Sequence, residues 1–260
     1  MKDHVALITG GGEGIGEAAA RELARAGMRV AVLGRTPDNT EGTVEKITEA
    51  GGEALSLQAD ISQSEEMETA IARIMETWGR LDAVFANAGI NGVWAPIEEL
   101  KPEEFAKTIA INLTGTFLTI KHAVPAIRKG ARGGSIIITS SVNGNRMFSN
   151  TGASAYSASK AGQTALGKML ALEFGKDRIR VNVICPGAIE SNIGDNTEQR
   201  DVEKAREPVE FPEGEIPLTR GEPGDQYEVA RLVRFLASDD ARHISGTEIY
   251  IDGAQSLLQG

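Results

Sequence analysis

Several features are scarce in this chain of 260 residues, and each scarcity excludes a class of protein. The only cysteine is Cys185, so no internal disulfide can form, and its place at the end of an apolar run predicts a buried structural thiol. The three histidines lie far apart and match no metal-ligand spacing. No apolar run reaches the roughly 18 residues that a membrane span needs, and the N-terminus has no signal-peptide pattern.

The charge balance narrows the partners further. A net charge of −10 disfavours a nucleic-acid binder, whose surface needs clustered positive charge. Hydrophobic content of 41% with 25% charged residues is ordinary for a soluble globular protein. The composition therefore predicts a cytoplasmic protein with no bound metal, no nucleic-acid partner and no membrane partner.

Short apolar segments alternate along the chain with longer amphipathic ones. The predicted strands are Val5–Thr9, Arg29–Leu33, Ala54–Gln58, Ala83–Ala86, Ser135–Thr139, Arg180–Ile184 and Glu248–Ile251. The predicted helices cover about 15–26, 40–50, 64–78, 102–128, 154–174 and 225–237. Strands that alternate with helices indicate a doubly wound α/β domain over residues 1–260, with a parallel sheet of about seven strands and helices on both faces.

One stretch does not follow this alternation. Residues 187–224 are rich in proline, glycine and acidic side chains and are too long for an ordinary connection. We therefore expect a substrate lid at about 187–224. A solvated acidic surface that never meets a substrate is the alternative.

The first predicted strand runs into a glycine-rich turn. Val5–Thr9 is followed by Gly10-Gly11-Gly12-Glu13-Gly14-Ile15-Gly16 and then by an alanine-rich helix. Glycines let the backbone approach a pyrophosphate, and a helix N-terminus offers free N–H groups with a positive dipole. The turn therefore predicts a dinucleotide site, although tight strand-to-helix turns need glycine in any case.

The end of the second strand bears on which dinucleotide is bound. NAD binders carry an acidic residue about twenty positions after the glycines, where it holds the ribose 2′-hydroxyl. Gly34 stands there, followed by Arg35, and this pair suits a 2′-phosphate. NADP is therefore favoured over NAD. Glu13 argues the other way because its charge would repel that phosphate, and Arg35 could instead merely cover the adenine.

Two groups with catalytic potential stand close together in the sequence. Tyr156 and Lys160 are four residues apart in a predicted helix, so both side chains lie on one face. An ammonium group near a phenol favours the phenolate and lowers its pKa, which would suit acid–base chemistry. By itself the pair also fits a solvated helix face. Upstream, the fifth strand ends at Ser140-Ser141, where a hydroxyl could bind a substrate oxygen or simply satisfy local backbone.

Together these features resemble the short, single-domain branch of the short-chain dehydrogenase/reductase family, over nearly the whole chain. The matching motifs are Thr9–Gly16, Asp60-Ile61, Asn87-Ala88-Gly89, Asn112, Ser141, Tyr156 with Lys160, Pro186-Gly187, and a tail from Phe235 to Gly253. The resemblance implies a Rossmann-type fold and hydride transfer between a nicotinamide and a small carbonyl or secondary alcohol. It also implies a homotetramer built partly through helices 102–128 and 154–174, where small apolar residues form a helix surface. These residues are Ala161, Ala165, Gly167 and Leu170.

The resemblance also implies roles for particular residues. Tyr156 would be the general acid/base, and Lys160 would lower its pKa and hold the nicotinamide ribose. Ser141 would orient the substrate, although the choice between Ser140 and Ser141 rests on alignment alone. Asn112 would sustain a water chain from Lys160, or would simply cap or kink the long helix. The implied cofactor contacts are Gly10, Gly12, Glu13, Gly14, Ile15, Gly16, Arg35, Asp60, Ile61, Asn87, Ala88, Gly89, Tyr156, Lys160, Pro186, Gly187, Ile189 and Ser191.

The substrate is less well defined by the sequence. An acidic lid would repel an acyl carrier protein or acyl-CoA, which favours a neutral carbonyl or alcohol. The segment before Tyr156 adds polar side chains that suit a hydroxylated substrate: Asn143, Asn145, Arg146 and Asn150. A 3-oxoacyl-thioester reductase is the main alternative, because a basic cluster at Arg128, Lys129 and Arg132 could receive a carrier protein. A dinucleotide-sensing protein without catalysis is a third hypothesis, which the joint presence of Ser141, Tyr156 and Lys160 disfavours.

Overall fold

The computed structural model describes residues 1–130, 132–190, 194, 197–207 and 214–259. Seven strands form one parallel sheet in the order β3-β2-β1-β4-β6-β7-β9. They are β1 (Val5–Thr9), β2 (Arg29–Gly34), β3 (Ala54–Gln58), β4 (Ala83–Ala86), β6 (Gly134–Thr139), β7 (Ile179–Pro186) and β9 (Glu248–Ile251). The doubly wound α/β fold predicted from the sequence is confirmed.

Helices cover both faces of this sheet. They are α1 (Gly14–Arg25), α2 (Pro37–Glu49), α3 (Ser64–Trp78), α4 (Pro102–Ile109), α5 (Gly115–Lys129), α6 (Ser154–Glu173), α7 (Gln226–Ala237) and α8 (Gln255–Gln259). Alternate residues of β1 enter opposite layers: Leu7 packs with the α3 and α5 side, and Ile8 packs with the α1 and α7 side. A sheet covered on both faces explains why its strands are apolar throughout.

Two features of the backbone were not predicted. Short strands β5 (Gly92–Trp94) and β8 (Thr197–Gln199) pair in parallel and form a separate two-stranded sheet. The long helix predicted over 102–128 is interrupted between α4 and α5 by one π-helical turn, Ala110–Thr114. Neither feature follows from the local sequence pattern, because β5 and β8 are far apart in the chain and the π turn is contacted by side chains of α6.

The strand order places a crevice at the carboxyl edge of the sheet. β1 leads outward to β2 and β3 on one side and is paired with β4 on the other, so the strand order reverses beside β1. Ligands of open α/β sheets bind at such a switch point. The glycine turn, Asn87 and Ser141 all follow strands that end at this edge.

Within the described residues, no helix combines the length and apolar character that a bilayer span requires. The histidine, cysteine and acidic side chains of the same ranges form no group of three that could ligate a metal ion. Cys185 is fully buried, as predicted for a structural thiol, and burial raises the pKa of its thiol to about 12.

Candidate active site

The glycine turn after β1 is built so that only glycine fits at its closest approach. A Cβ atom on Gly16 would lie 1.9 Å from the carbonyl oxygen of Gly10. Gly10 and Gly14 have φ angles of 65° and 53°, in the left-handed region that favours glycine. The chain can therefore turn sharply from β1 into α1 with its backbone exposed to the cavity.

Helix α1 begins at this turn with unused donors. The residue before the helix, Glu13, makes no side-chain capping hydrogen bond. The first N–H groups of an α-helix have no intrahelical acceptor and carry the positive end of the helix dipole. Together with the glycines, they form a site suited to a phosphate group.

Hydrogen bonds of Asn87 connect the ends of three strands at the crevice. Its backbone N–H donates to Thr9 Oγ1 at 3.0 Å, and its Oδ1 accepts a hydrogen bond from Thr139 Oγ1 at 3.1 Å. The ends of β1, β4 and β6 are thereby held together. Asn87 is thus a rigid part of the cavity wall.

A cavity of about 600 Å³ runs along this edge of the sheet. Most of the predicted cofactor contacts line it: Gly10, Gly12, Glu13, Gly14, Ile15, Arg35, Asp60, Ile61, Asn87, Ala88, Gly89, Tyr156, Lys160, Pro186, Gly187 and Ile189. Gly16 lies behind the turn and does not line the cavity. Ser191 lies outside the described residues.

Tyr156 and Ser141 meet at the inner part of the cavity. Tyr156 extends from the first turns of α6, and the side chain of Ser141, which follows β6, is close enough to lower its pKa. Both side chains line the cavity and are largely buried. A substrate oxygen that reached this point could contact a phenol and an alcohol together.

The pKa of Tyr156 is raised above its usual value. Burial is the main cause, because a phenolate loses its hydration there, and the hydrogen bond with Ser141 opposes the rise. The resemblance implied a pKa lowered by Lys160, and this stays a prediction. The Lys160 ammonium lies 5.5 Å from the centre of the tyrosine ring.

Lys160 is itself a buried cation. Its Nζ donates to the backbone carbonyl of Thr139 at 2.9 Å, and burial lowers its pKa to about 8. Only 3% of Lys160 is exposed, so its charge is held inside the protein next to the cavity. This arrangement keeps a positive charge beside the tyrosine at neutral pH.

The two candidate serines have different surroundings. Ser140 Oγ donates to the carbonyl of Lys160 at 2.8 Å and accepts from Thr164 Oγ1 at 3.0 Å, so it is engaged with α6. Ser141 Oγ accepts from the N–H of Asn143 at 3.2 Å. Ser141 is the serine whose side chain lowers the pKa of Tyr156.

Asn112 lies one layer behind the cavity, in the π turn. Its Oδ1 accepts from the N–H of Ile90 at 2.8 Å, and its Nδ2 donates to the carbonyl of Ile90 at 2.9 Å. The same Nδ2 donates to Ser159 Oγ at 3.0 Å. Asn112 is fully buried and does not line the cavity itself, so it acts on the wall through Ile90.

The substrate side of the cavity mixes polar and apolar groups. Asn143 and Asn150 line it with Met147 and Trp94. The other two polar residues expected there turn away: Asn145 donates to Glu248, and the Arg146 guanidinium lies 3.4 Å from the centre of the Tyr250 ring. The loop before Tyr156 is therefore less polar toward the cavity than its sequence predicts.

Ion pairs hold the described part of the 187–224 segment against the rest of the protein. Arg200 donates to both carboxylate oxygens of Glu104, at 3.0 and 2.7 Å, and Lys204 contacts Glu99 at 2.9 Å. The Arg200 guanidinium lowers the pKa of Glu104 to about 2. Basic residues of this segment thus pair with acids outside it, which explains how an acid-rich stretch stays attached to an acidic protein.

Residues that the sequence analysis missed also contribute to the site. Gln255 accepts from the N–H of Ala188 at 2.9 Å and lines the cavity, which fixes the segment after β7. Ser159 and Gln163 contact Asn112 from α6. These two follow Tyr156 at positions i+3 and i+7, so a buried polar stripe on the helix was the signal available in the sequence.

The residues present fit a nicotinamide dinucleotide. A Cβ at Gly12 would lie 2.8 Å from Asn39, so the turn is too narrow there for a side chain and leaves its backbone open. The cavity continues from this turn to Tyr156 and Lys160 without leaving the carboxyl edge of the sheet. Phosphate-binding donors at one end and acid–base groups at the other match a cofactor that reacts far from its phosphates.

Comparison with known proteins agrees with this geometry. The family model described as Enoyl-(Acyl carrier protein) reductase matches residues 10–254. A cyclohexanol dehydrogenase of Acinetobacter sp. (strain SE19) is 36% identical over 254 residues, covering 98% of this chain and 95% of the relative. The structure of a 3-ketoacyl-ACP reductase from Sinorhizobium meliloti 1021 is 52% identical with a TM-score of 0.95, covering 98% and 99% of the two chains. Carveol dehydrogenase from Mycobacterium avium, solved in complex with NAD, is 27% identical with a TM-score of 0.87, covering 99% of each.

The chain belongs to the short-chain dehydrogenase/reductase family. It is an oxidoreductase that transfers a hydride between a nicotinamide cofactor and a carbonyl or alcohol. The activity expected from the resemblance is therefore confirmed at the level of the reaction.

Proposed function

We propose that this enzyme interconverts small ketones and secondary alcohols, cyclic ones included, with Tyr156 as the general acid/base. The observation that carries the proposal is that Ser141, Tyr156 and Lys160 line the same cavity, with the Lys160 ammonium 5.5 Å from the centre of the tyrosine ring. The cavity lining combines polar side chains such as Asn143 with apolar ones such as Trp94. This combination suits a compact substrate with one or two oxygens. The related cyclohexanol dehydrogenase supports a cyclic alcohol.

The residues act on a proton and on charge. When bound, the nicotinamide supplies or accepts the hydride. Tyr156, whose raised pKa keeps it protonated at neutral pH, donates its proton to the substrate oxygen during carbonyl reduction. Ser141 orients that oxygen by hydrogen bonding. The Lys160 charge stabilises the phenolate that proton donation leaves behind, and Asn112 holds the wall beside it.

Replacement of the tyrosine tests this assignment. Tyr156→Phe keeps the ring and removes the proton, so turnover should fall at least about a thousandfold while cofactor affinity changes little. Steady-state kinetics on cyclohexanol and cyclohexanone, with cofactor binding followed by fluorescence, would measure both. Substantial residual turnover would contradict the role of Tyr156.

We propose NADP as the preferred cofactor. The exposed Arg35 lines the cavity directly after β2, where no carboxylate stands to bind a ribose 2′-hydroxyl. Glu13 also lines the cavity and opposes this choice by its charge, and the NAD complex of the related carveol dehydrogenase favours NAD for that protein.

Cofactor preference is measured by the ratio of kcat/KM for NADPH to that for NADH. Arg35→Ala should lower the value for NADPH about tenfold or more and leave NADH nearly unchanged, because only the 2′-phosphate loses a partner. Glu13→Gln should shift the ratio toward NADPH. A tenfold preference of the wild-type enzyme for NADH would overturn the proposal.

A 3-oxoacyl-thioester reductase is the second candidate. The 52% identity to a 3-ketoacyl-ACP reductase supports it. Acetoacetyl-CoA as substrate separates the two functions. A kcat/KM for acetoacetyl-CoA well above that for cyclohexanone would favour the second candidate.

Three further features complete the proposal. The segment at about 187–224 serves as a substrate lid of a single domain, held by the Arg200 and Lys204 ion pairs. The enzyme works in the cytoplasm. It assembles as a homotetramer through α5 and α6, whose outer surfaces expose Phe117, Met169 and Leu172.

A further inference from the structure

Helix α6 carries a buried polar stripe where a packed helix usually carries apolar residues. Its members follow the spacing i, i+3, i+4 and i+7: Tyr156, Ser159, Lys160 and Gln163. The tyrosine and lysine belong to the candidate active site. Gln163 is fully buried two turns from Tyr156 and does not line the cavity, so the site does not yet explain it.

Gln163 contacts the backbone of the π turn. Its Nε2 donates to the carbonyl oxygen of Asn112 at 2.9 Å and to Thr116 Oγ1 at 2.7 Å. The hydroxyl of Thr116 donates to the same Asn112 carbonyl at 2.7 Å. A carbonyl oxygen has two lone pairs, so side chains satisfy this one fully. The contacts fix the backbone of Asn112 from the side opposite the cavity.

Fixing Asn112 fixes the cavity wall. The Asn112 carboxamide binds both the N–H and the carbonyl of Ile90, which lines the cavity. A Cβ on the preceding Gly89 would lie 3.1 Å from Asn112 Oδ1 and 3.7 Å from Lys160 Nζ. A small movement of Asn112 would therefore move the wall against the lysine.

Burial of the Gln163 amide destabilises the folded state. We therefore expect the hydrogen bonds donated by this amide to have a function. Its Oε1 is buried and has no hydrogen-bond partner among the described residues. An unmatched buried acceptor destabilises the folded state, and an apolar side chain of similar length would avoid that cost. The hydrogen bonds donated by Nε2 are what the glutamine supplies and a methionine would not.

We propose that Gln163 is a positioning residue for the hydride-transfer reaction: it holds Asn112 in the π turn, and thereby holds the Gly89–Ile90 wall against Lys160. The proposal rests on the role assigned to Asn112 in the proposed function. It connects α6, which supplies the tyrosine and the lysine, to the strand β4 side of the cofactor site.

Two substitutions test this role. Gln163→Met removes the donor and keeps the length, so kcat/KM should fall about tenfold while the melting temperature stays equal or rises. Gln163→Glu can donate only when its carboxyl is protonated. The activity of the glutamate variant should therefore rise as the pH falls, relative to wild type and to Gln163→Met, which a merely structural role would not produce.

A double-mutant cycle that combines Gln163→Met with Asn112→Ala tests whether Gln163 acts through Asn112. If Gln163 acts through Asn112, the double variant should be about as impaired as Asn112→Ala alone. Thr119→Val is the matched control, because it removes another buried hydrogen bond, to the Gly115 carbonyl on α5, away from Asn112. It should leave kcat/KM unchanged.

The outcomes separate this inference from the proposed function. Wild-type kcat/KM in Gln163→Met, with an impaired Asn112→Ala, overturns the inference and leaves the role of Asn112 standing. Additive losses in the double variant also overturn it. Full activity in Asn112→Ala removes the role of Asn112 and this inference with it. If Gln163→Met does not fold, the pH dependence of Gln163→Glu decides: a profile equal to that of wild type overturns the inference.

Discussion

Burial is the main influence on the pKa values of individual side chains in this site. Tyr156 and Lys160 are both largely buried, and burial moves both pKa values toward the neutral form: upward for the phenol and downward to about 8 for the ammonium. The pair can therefore begin carbonyl reduction with a proton on the tyrosine. Alcohol oxidation needs the deprotonated tyrosine, whose negative charge the Lys160 ammonium stabilises.

The buried ammonium gives a pH-dependent stability. Below about pH 8, both the folded and the unfolded chain protonate Lys160, and the folded state bears the full desolvation cost. Between about pH 8 and 10.5, the unfolded chain holds the proton and the folded one does not, so the stability of wild type rises with pH. A tenfold change in an ionisation constant is worth about 1.4 kcal/mol.

Lys160→Met should therefore be more stable than wild type at pH 7, by about 1–3 kcal/mol. The variant should also lose turnover, because the charge beside Tyr156 is gone. Urea unfolding at pH 7, 9 and 10.5 should show the stability difference shrinking as the pH rises. A difference independent of pH would contradict the lowered pKa of Lys160.

The neighbouring serines should separate function from stability. Ser141→Ala removes a hydroxyl that meets Tyr156 and should lower kcat by about 100-fold with little change in melting temperature. Ser140→Ala breaks buried hydrogen bonds to α6 and should cost about 1–2 kcal/mol of stability with a smaller effect on kcat. Kinetics and thermal unfolding of the two variants, measured together, test the assignment. The reversed pattern would make Ser140 the catalytic serine.

At the scale of secondary-structure elements, two irregular turns create the site. The glycine turn lets β1 enter α1 with open N–H groups, and the π turn between α4 and α5 brings Asn112 to Ile90. Single π turns inside α-helices occur frequently at functional sites. The glycine turn depends on close contacts that a larger side chain would prevent.

Two glycine-to-alanine substitutions test the first turn. Gly16→Ala places a methyl group 1.9 Å from the Gly10 carbonyl, so cofactor affinity should fall at least about tenfold as the turn opens. Gly42→Ala, in the middle of α2, meets nothing within 4 Å and should stabilise the protein by about 0.5–1 kcal/mol. Cofactor titration and urea unfolding measure the pair. Unchanged affinity in Gly16→Ala would contradict the role of the turn.

At the scale of the whole molecule, one exposed stripe of α6 is apolar. Ala161, Ala165, Met169 and Leu172 are exposed along one face of α6, at spacings of three or four residues. Gly167 and Leu170, which were predicted on this surface, lie elsewhere: Gly167 is buried, with a Cβ there 2.5 Å from Val183 in β7, and Leu170 is half-buried against the core. The exposed stripe supports assembly through α6.

The assembly prediction can be tested with charge. Met169→Glu combined with Leu172→Glu should break the proposed tetramer into smaller species, because paired copies would bury like charges. Sedimentation velocity measures the change. Ile97→Glu is the matched control, since Ile97 and Met169 are each 71% exposed and Ile97 lies outside α5 and α6. A wild-type protein that sediments as a monomer would contradict the assembly.

The alternation of strands and helices, the glycine turn and the Tyr156–Lys160 pair could all be predicted before folding, because each depends on residues close together in the chain. Other features depend on contacts between distant segments and became known from the folded structure. These include the burial that raises the pKa of Tyr156, the pairing of β5 with β8, the different surroundings of Ser140 and Ser141, and the contact of Gln163 with Asn112. Burial and long-range hydrogen bonds arise when elements pack, so a local pattern can name the residues of this site but cannot state their environment.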